Sequence, residues 1–293
     1  MAFQNKKSEW DFLNRFSAES GKMYTLGSFL GAGGNASVYE CTDDDGNPYA
    51  VKILTKSDDA AKMRFGQEMS LMRQVRHNFL ISCFDNGTIR GNGIIYFNKG
   101  KHRSFSFIIM ERADSDLFAY LKEHDWKVDY DVYAPQFRGL SEALGKLHEC
   151  AIHRDIKPSN ILIKGERWML SDFGLCSMTD TATQIDVTHT NEKIGPKFCP
   201  SPESINQSYA GTSINLDTAS DVYQMCAVFW LVLTGWYPLG QIKSDDYICD
   251  GRNRLLFEKL LLALSYDKRK RPRNGSELQK IMWQVTVEQG LKS

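Results

Sequence analysis

His153-Arg154-Asp155-Ile156-Lys157-Pro158-Ser159-Asn160 lies between two segments of different character. Before it, apolar residues at Phe137, Leu140, Leu144 and Leu147 repeat with helical spacing, and after it Ile161-Leu162-Ile163 reads as a short strand. Pro158 has no N–H to give a helix, so Asp155 and Asn160 sit on the loop between the two. Such a loop can turn an aspartate, a lysine two residues on and an asparagine five residues on toward one point. The carboxylate can orient a hydroxyl and take its proton. The lysine can hold a transferring phosphoryl group, and the asparagine oxygen suits a hard cation. Further on, Asp172-Phe173-Gly174 offers a second cation-binding carboxylate beside a glycine.

The pairing of these two stretches resembles the catalytic loop and metal-binding turn of the eukaryotic-type protein kinases, serine/threonine class. The resemblance runs from about Tyr24 to about Val285. It implies an α+β, two-lobed fold, with a small β-rich lobe over 24–112, a larger helical lobe over 113–293 and ATP between them. Residues 1–23 form an N-terminal extension ahead of it. There Ser8 and Asp11 suit a helix cap, and Trp10, Leu13 and Phe16 share one helical face. The expectation is a helix packed on the small lobe, the alternative a docking or self-regulating element.

Leu30-Gly31-Ala32-Gly33-Gly34-Asn35-Ala36-Ser37-Val38 lies between apolar stretches that read as strands. Glycines let backbone N–H groups approach phosphate oxygens, although alone such a stretch is as readily an ordinary turn. It resembles the kinase glycine-rich loop, with Ala36 in place of the third glycine, and Leu30 and Val38 covering the adenine. Tyr49-Ala50-Val51-Lys52-Ile53-Leu54 alternates like a half-buried strand. By itself Lys52 is a solvated lysine; the resemblance places it on the α- and β-phosphates and Ala50 against the adenine. From Asp58 to Val75 the pattern is helical, with Phe65, Met69 and Met72 on one face and Glu68 at its border. Read alone, Glu68 is a solvated helix charge; the resemblance pairs it with Lys52, a contact that switches with the position of the helix.

Gly91 to Ser104 reads as a long hairpin tip with a basic, solvated patch from Lys99 to Arg103. Met110 and Glu111 resemble the gatekeeper and first hinge residue, with the adenine bonded to backbone near Glu111 and Ala113. Asp116 then opens a helix and is placed on the ribose, and Leu162 closes the adenine site. The polar run Ser177 to Lys193 reads as a flexible surface loop. Its place in the resemblance is that of an activation segment, with Thr188 and Thr190 the first candidates for phosphorylation. The segment Gly195 to Glu203 departs most from the family: Pro196 replaces a usual threonine and Ser201 a usual alanine, and Cys226 later replaces a glycine. The resemblance implies that Lys157 goes with serine and threonine rather than tyrosine as acceptors, with dual specificity the alternative. Asp221 heads a helix apolar all round, so it must find buried partners. The resemblance makes it the anchor of the loop at His153 and pairs Arg271 with Glu203. The basic string Lys268 to Arg273 is thereby structural rather than a nucleic-acid signal.

Composition narrows the class. Lys+Arg and Asp+Glu both number 36, so bulk charge recruits no nucleic acid. Seven scattered cysteines without a CxxC pair point to a reduced, cytoplasmic setting. The apolar run Ala227 to Leu233 is too short to cross a bilayer. The expected cofactors are ATP and Mg2+, with two ions on Asp172 and Asn160. The expected partner is a protein substrate, with no nucleic acid or membrane; the oligomeric state stays open. Asp155, Lys157, Lys52 and Glu68 form the expected catalytic set. Their presence favours an active enzyme over a pseudokinase scaffold. The Ser201-Pro202-Glu203 stretch with Asp221 and Arg271 favours a protein kinase over a small-molecule phosphotransferase.

Overall fold

The structure is a computed structural model that describes residues 10–93, 102–178, 199–210, 216–240, 242 and 254–288. The chain divides into two compact units, Met1–Arg76 with Ile81–Ala113, and His77–Leu80 with Asp114–Ser293.

The first unit holds β1 (Trp10–Phe12), β2 (Arg15–Ser17), β3 (Met23–Ala32), β4 (Ala36–Asp43), β5 (Pro48–Leu54), helix α1 (Asp59–Gln74), β6 (Cys83–Gly93) and β7 (His102–Glu111). The strands form one antiparallel sheet in the order β1-β6-β7-β5-β4-β3-β2. Its two outer strands both come from the N-terminal extension, where a helix was expected. Trp10, Phe12 and Phe16 are buried while Asp11 and Arg15 are exposed, a two-residue alternation. Leu13, which the helical reading put inward, is 49% exposed. The extension forms strands because it has open edges to complete. The Leu13 N–H donates to the Arg90 carbonyl on one side, and the Leu26 N–H to the Asn14 carbonyl on the other. Burying three aromatics against Phe105, Phe107, Tyr24 and Tyr39 outweighs a short amphipathic helix. The Ser8 position lies outside the described residues.

The expected hairpin tip is also shorter than the sequence suggests. Gly91 and Asn92 pair with Arg103 and His102 inside the ladder. A Cβ on Gly91 would stand 2.8 Å from the Phe12 ring, so this glycine serves packing rather than a turn. Lys99, and with it most of the basic patch, lies outside the described residues. Helix α1 forms as read, capped by the Asp58 carboxylate on the Ala61 N–H.

The second unit contains β8 (Ser115–Asp116), α2 (Leu117–Glu123), α3 (Tyr130–Leu147), β9 (Ala151–Ile152), β10 (Ile161–Lys164), β11 (Arg167–Leu170), β12 (Ser177–Met178), α4 (Pro202–Ala210), α5 (Thr218–Thr234), α6 (Arg254–Ala263) and α7 (Gly275–Glu288). Two small antiparallel sheets, β11-β10-β8 and β12-β9, flank the loop from His153 to Asn160. The expected surface loop from Ser177 therefore begins as a strand, paired through Ser177 and Met178 with Ile152 and Ala151. His77–Leu80 joins this unit because the Leu170 N–H donates to the Phe79 carbonyl and the Phe79 ring lies on Gly139. Helix α5 is buried along nearly its whole length. It starts in an Asp217–Ser220 capping box and stops at Gly235, whose φ of +76° suits glycine. No helix among the described residues is long and apolar enough to cross a membrane.

Candidate active site

In the first unit, strand register sorts the sheet into two faces. Val38 pairs with Lys52 and Lys52 with Ile108; Ala50 pairs with Met110 two residues along. Val38, Ala50, Lys52 and Met110 thus share a face. The intervening Tyr39, Val51 and Ile109 face the aromatic core that the N-terminal strands close. Lys52 Nζ reaches Glu68 Oε1 at 2.6 Å, with the glutamate side chain 5% exposed. Glu68 lies inside the buried stripe of α1 with Phe65, Leu71 and Met72, deeper than the border position its spacing suggested. A charge so placed has to be matched, and Lys52 matches it.

The turn between β3 and β4 closes through the Gly33 N–H donating to the Ala36 carbonyl. The Asn35 carbonyl accepts from the N–H groups of Thr55 and Lys56 and from the Thr55 hydroxyl, tying the turn to the end of β5. Ala36 is buried and paired with Leu54, so its methyl is accommodated in the sheet. A Cβ at Gly31 or Gly33 would meet nothing within 4 Å, so this chain's own packing does not demand glycine there. Leu30 is 48% exposed beside them. Glu111 ends β7, its N–H donating to the Ser82 carbonyl, and Ala113 closes the unit.

In the second unit the loop from His153 to Asn160 folds around its aspartate. Asp155 Oδ2 accepts from Lys157 Nζ at 2.6 Å and from Asn160 Nδ2 at 3.1 Å. The same Asn160 amide group donates to the Asp155 carbonyl at 2.8 Å. With its nitrogen spent on Asp155, Asn160 has its amide oxygen for other work. Burial pushes the Asp155 carboxyl above the ordinary aspartate value, and the Lys157 ammonium works against that rise. His153 accepts the Asp155 N–H at Nδ1, which leaves Nε2–H to donate to the Ser171 carbonyl. Ser171 in turn donates its N–H and its hydroxyl to the Asn160 carbonyl. Asp172 follows directly, with φ of +64°. Leu162 on β10 is the cross-strand partner of Asp116, which caps α2 through the Ala119 N–H.

The loop is fastened from below. Asp221 accepts the N–H groups of His153 and Arg154 at 2.6 and 2.8 Å. Arg154 has φ of +72°, a left-handed conformation that costs a non-glycine residue about 1–2 kcal/mol and persists only where neighbours enforce it. His148, whose role no local pattern announces, completes the anchor. Its Nδ1 accepts the Gly275 N–H, so its Nε2–H donates to Asp221 at 3.0 Å. Its one sequence signal is a histidine placed directly after the apolar helical repeat that ends at Leu147.

Glu203 and Arg271 form a bidentate pair at 2.7 and 3.0 Å, with side chains 5% and 0% exposed. Ser201 has a reason to differ from alanine: its hydroxyl accepts the Ser204 N–H at the start of α4. Cys226 is fully buried in α5. Pro196, Thr188 and Thr190 lie outside the described residues.

Residues 24–288 match the family described as protein kinase domain. The serine/threonine-protein kinase chk1 of Schizosaccharomyces pombe is 28% identical over 83% of this chain and 46% of its own length. A probable serine/threonine-protein kinase of Corynebacterium efficiens is 30% identical over 73% of this chain and 31% of its own. A receptor-like serine/threonine-protein kinase of Arabidopsis thaliana is 29% identical over 78% of this chain and 59% of its own. The chain thus spans about three-fifths or less of the length of these relatives.

Proposed function

The chain belongs to the protein kinase family, and we propose that it transfers the γ-phosphate of ATP to serine or threonine hydroxyls of a protein. The observation that carries this reading is the cluster of Asp155, Lys157 and Asn160 on one short loop. The Asp155 carboxylate would accept the proton of the attacking hydroxyl as its oxygen bonds to the γ-phosphorus and the bond from that phosphorus to the β-phosphate oxygen breaks, releasing ADP. Lys157 would hold the moving phosphoryl group, and Lys52, steadied by Glu68, the α- and β-phosphates. Most of the acceleration would come from positioning and charge stabilisation.

For the nucleotide, the shared sheet face supports Val38, Ala50 and Met110 as adenine contacts with Leu30. Backbone groups of Glu111 and Ala113 would bond the base. The pairing of Leu162 with Asp116 supports the floor of the base and the ribose contact. Gly31 and Gly33, which packing does not explain, fit close approach of backbone to phosphate. Asn160 and Asp172 present the all-oxygen donor set that suits Mg2+. Bound there, Mg2+ would offset the negative charge of the phosphates. Autophosphorylation at Thr188 or Thr190 belongs to the same reading, supported by the threonine-rich composition of the segment. A cytoplasmic setting is supported by the scattered cysteines, which form no CxxC pair in the sequence.

The test is incubation of the purified protein with Mg2+ and labelled ATP beside Asp155→Asn, with phosphorylated residues mapped by mass spectrometry. Phosphoserine or phosphothreonine absent from the variant is expected. Equal labelling of the variant would remove Asp155 from its role, and phosphotyrosine would favour dual specificity.

A further inference from the structure

We propose that Gln224 is a positioning residue of the catalytic loop, its side-chain amide clamping the backbone on both sides of Asp155. Gln224 is fully buried on α5, among Val222, Met225, Ala227 and Val228. Hydrophobic packing alone does not call for an amide there. Its Oε1 accepts the Ile156 N–H at 2.8 Å, and its Nε2 donates to the Arg154 carbonyl at 3.2 Å. One side chain thus bonds the residue before Asp155 and the residue after it, as a neighbouring strand would.

The helix makes this possible. Gln224 follows Asp221 by three residues, so the two side chains leave the same face of α5. Asp221 takes the N–H groups of His153 and Arg154, and Gln224 continues with the Arg154 carbonyl and the Ile156 N–H. The Asp155 N–H goes to His153 Nδ1, and its carbonyl accepts from Asn160. Backbone polar groups from the Arg154 N–H to the Ile156 N–H are therefore held, and the two peptide planes flanking Asp155 cannot turn without breaking bonds. Arg154 sits in its left-handed conformation between the Asp221 and Gln224 contacts. A methionine would leave two buried backbone groups unpaired, while a carboxylate would oppose the Arg154 carbonyl with a second acceptor.

The inference rests on the kinase reading, since Gln224 acts through Asp155. It is tested by comparing the wild-type chain with Gln224→Met, which keeps the volume, and Gln224→Ser, which keeps polarity but cannot span both groups. Displacing a reacting group by about 1 Å can cost on the order of 100-fold, so kcat should fall by about 10- to 100-fold while KM for ATP moves by about twofold at most. In hydrogen exchange, the Ile156 amide should lose protection while α3 amides around Leu140 exchange as in the wild type. Wild-type kcat in a folded variant, or unchanged Ile156 protection, would overturn the clamp. Failure of the wild type itself to transfer phosphate while binding ATP would strike the kinase reading instead, and Ile156 exchange would still decide whether Gln224 holds the loop.

Discussion

Arg271 presents Nη1 and Nη2 to the two carboxylate oxygens of Glu203, both side chains being almost wholly out of water. The guanidinium also donates to the Ser265 and Tyr266 carbonyls and lies over the Tyr223 ring. Removing one partner leaves the other charge buried alone, so Arg271→Ala should destabilise the protein by about 3–5 kcal/mol in denaturant unfolding. Burial acts to raise the Glu203 carboxyl, but hydrogen bonds from Arg271 and Ser220 more than offset it and leave it below the ordinary value. A carboxyl depressed in the folded state adds stability above its unfolded pKa and loses it as pH falls through the folded one. The gap between wild type and Arg271→Ala should therefore narrow in acid. A variant with the wild-type melting temperature would show that the pair contributes little.

Asp155→Asn should abolish phosphoryl transfer while ATP binding persists, as read by a binding titration beside a turnover assay. Because burial raises the Asp155 carboxyl, the wild type should lose its base at higher pH than an exposed aspartate would. As pH falls, kcat/KM should drop along a limb lying above the ordinary aspartate value of about 3.9. A flat profile down to that pH would argue against Asp155 as the proton acceptor.

A Cβ on Gly275 would stand 2.2 Å from the Gly145 backbone nitrogen, at the contact between α3 and the start of α7. Neither backbone can yield cheaply, so Gly275→Ala should cost about 1–3 kcal/mol by overpacking. The Gly275 N–H also sets the His148 tautomer beneath Asp221, so kcat should fall with stability. A neutral effect on unfolding would mean that α7 shifts freely.

Phe12→Ala should lower stability by about 3–5 kcal/mol although it lies ahead of the family match, because its ring packs edge-on against Phe105 and Tyr39. A chain lacking residues 1–17 should melt earlier and bind an environment-sensitive dye through the exposed aromatic face. Equal melting of the truncated chain would reduce the extension to a surface appendage.

What the amino-acid order determined by itself is the local chemistry. Gly235 ends α5, and the spacing of Asp155, Lys157 and Asn160 suits one short loop. These depend on interactions within a few residues, and pattern reading reaches that far. The N-terminal strands escaped it because Trp10, Phe12 and Phe16 take their conformation from the open edges of β6 and β3. The depth of Glu68, the role of His148 and the clamp at Gln224 escaped for the same reason. Each is a polar side chain whose partner lies far along the chain, 16 residues for Glu68 and 73 for His148. Burial makes such a pairing obligatory, and only the tertiary fold decides which groups are buried together.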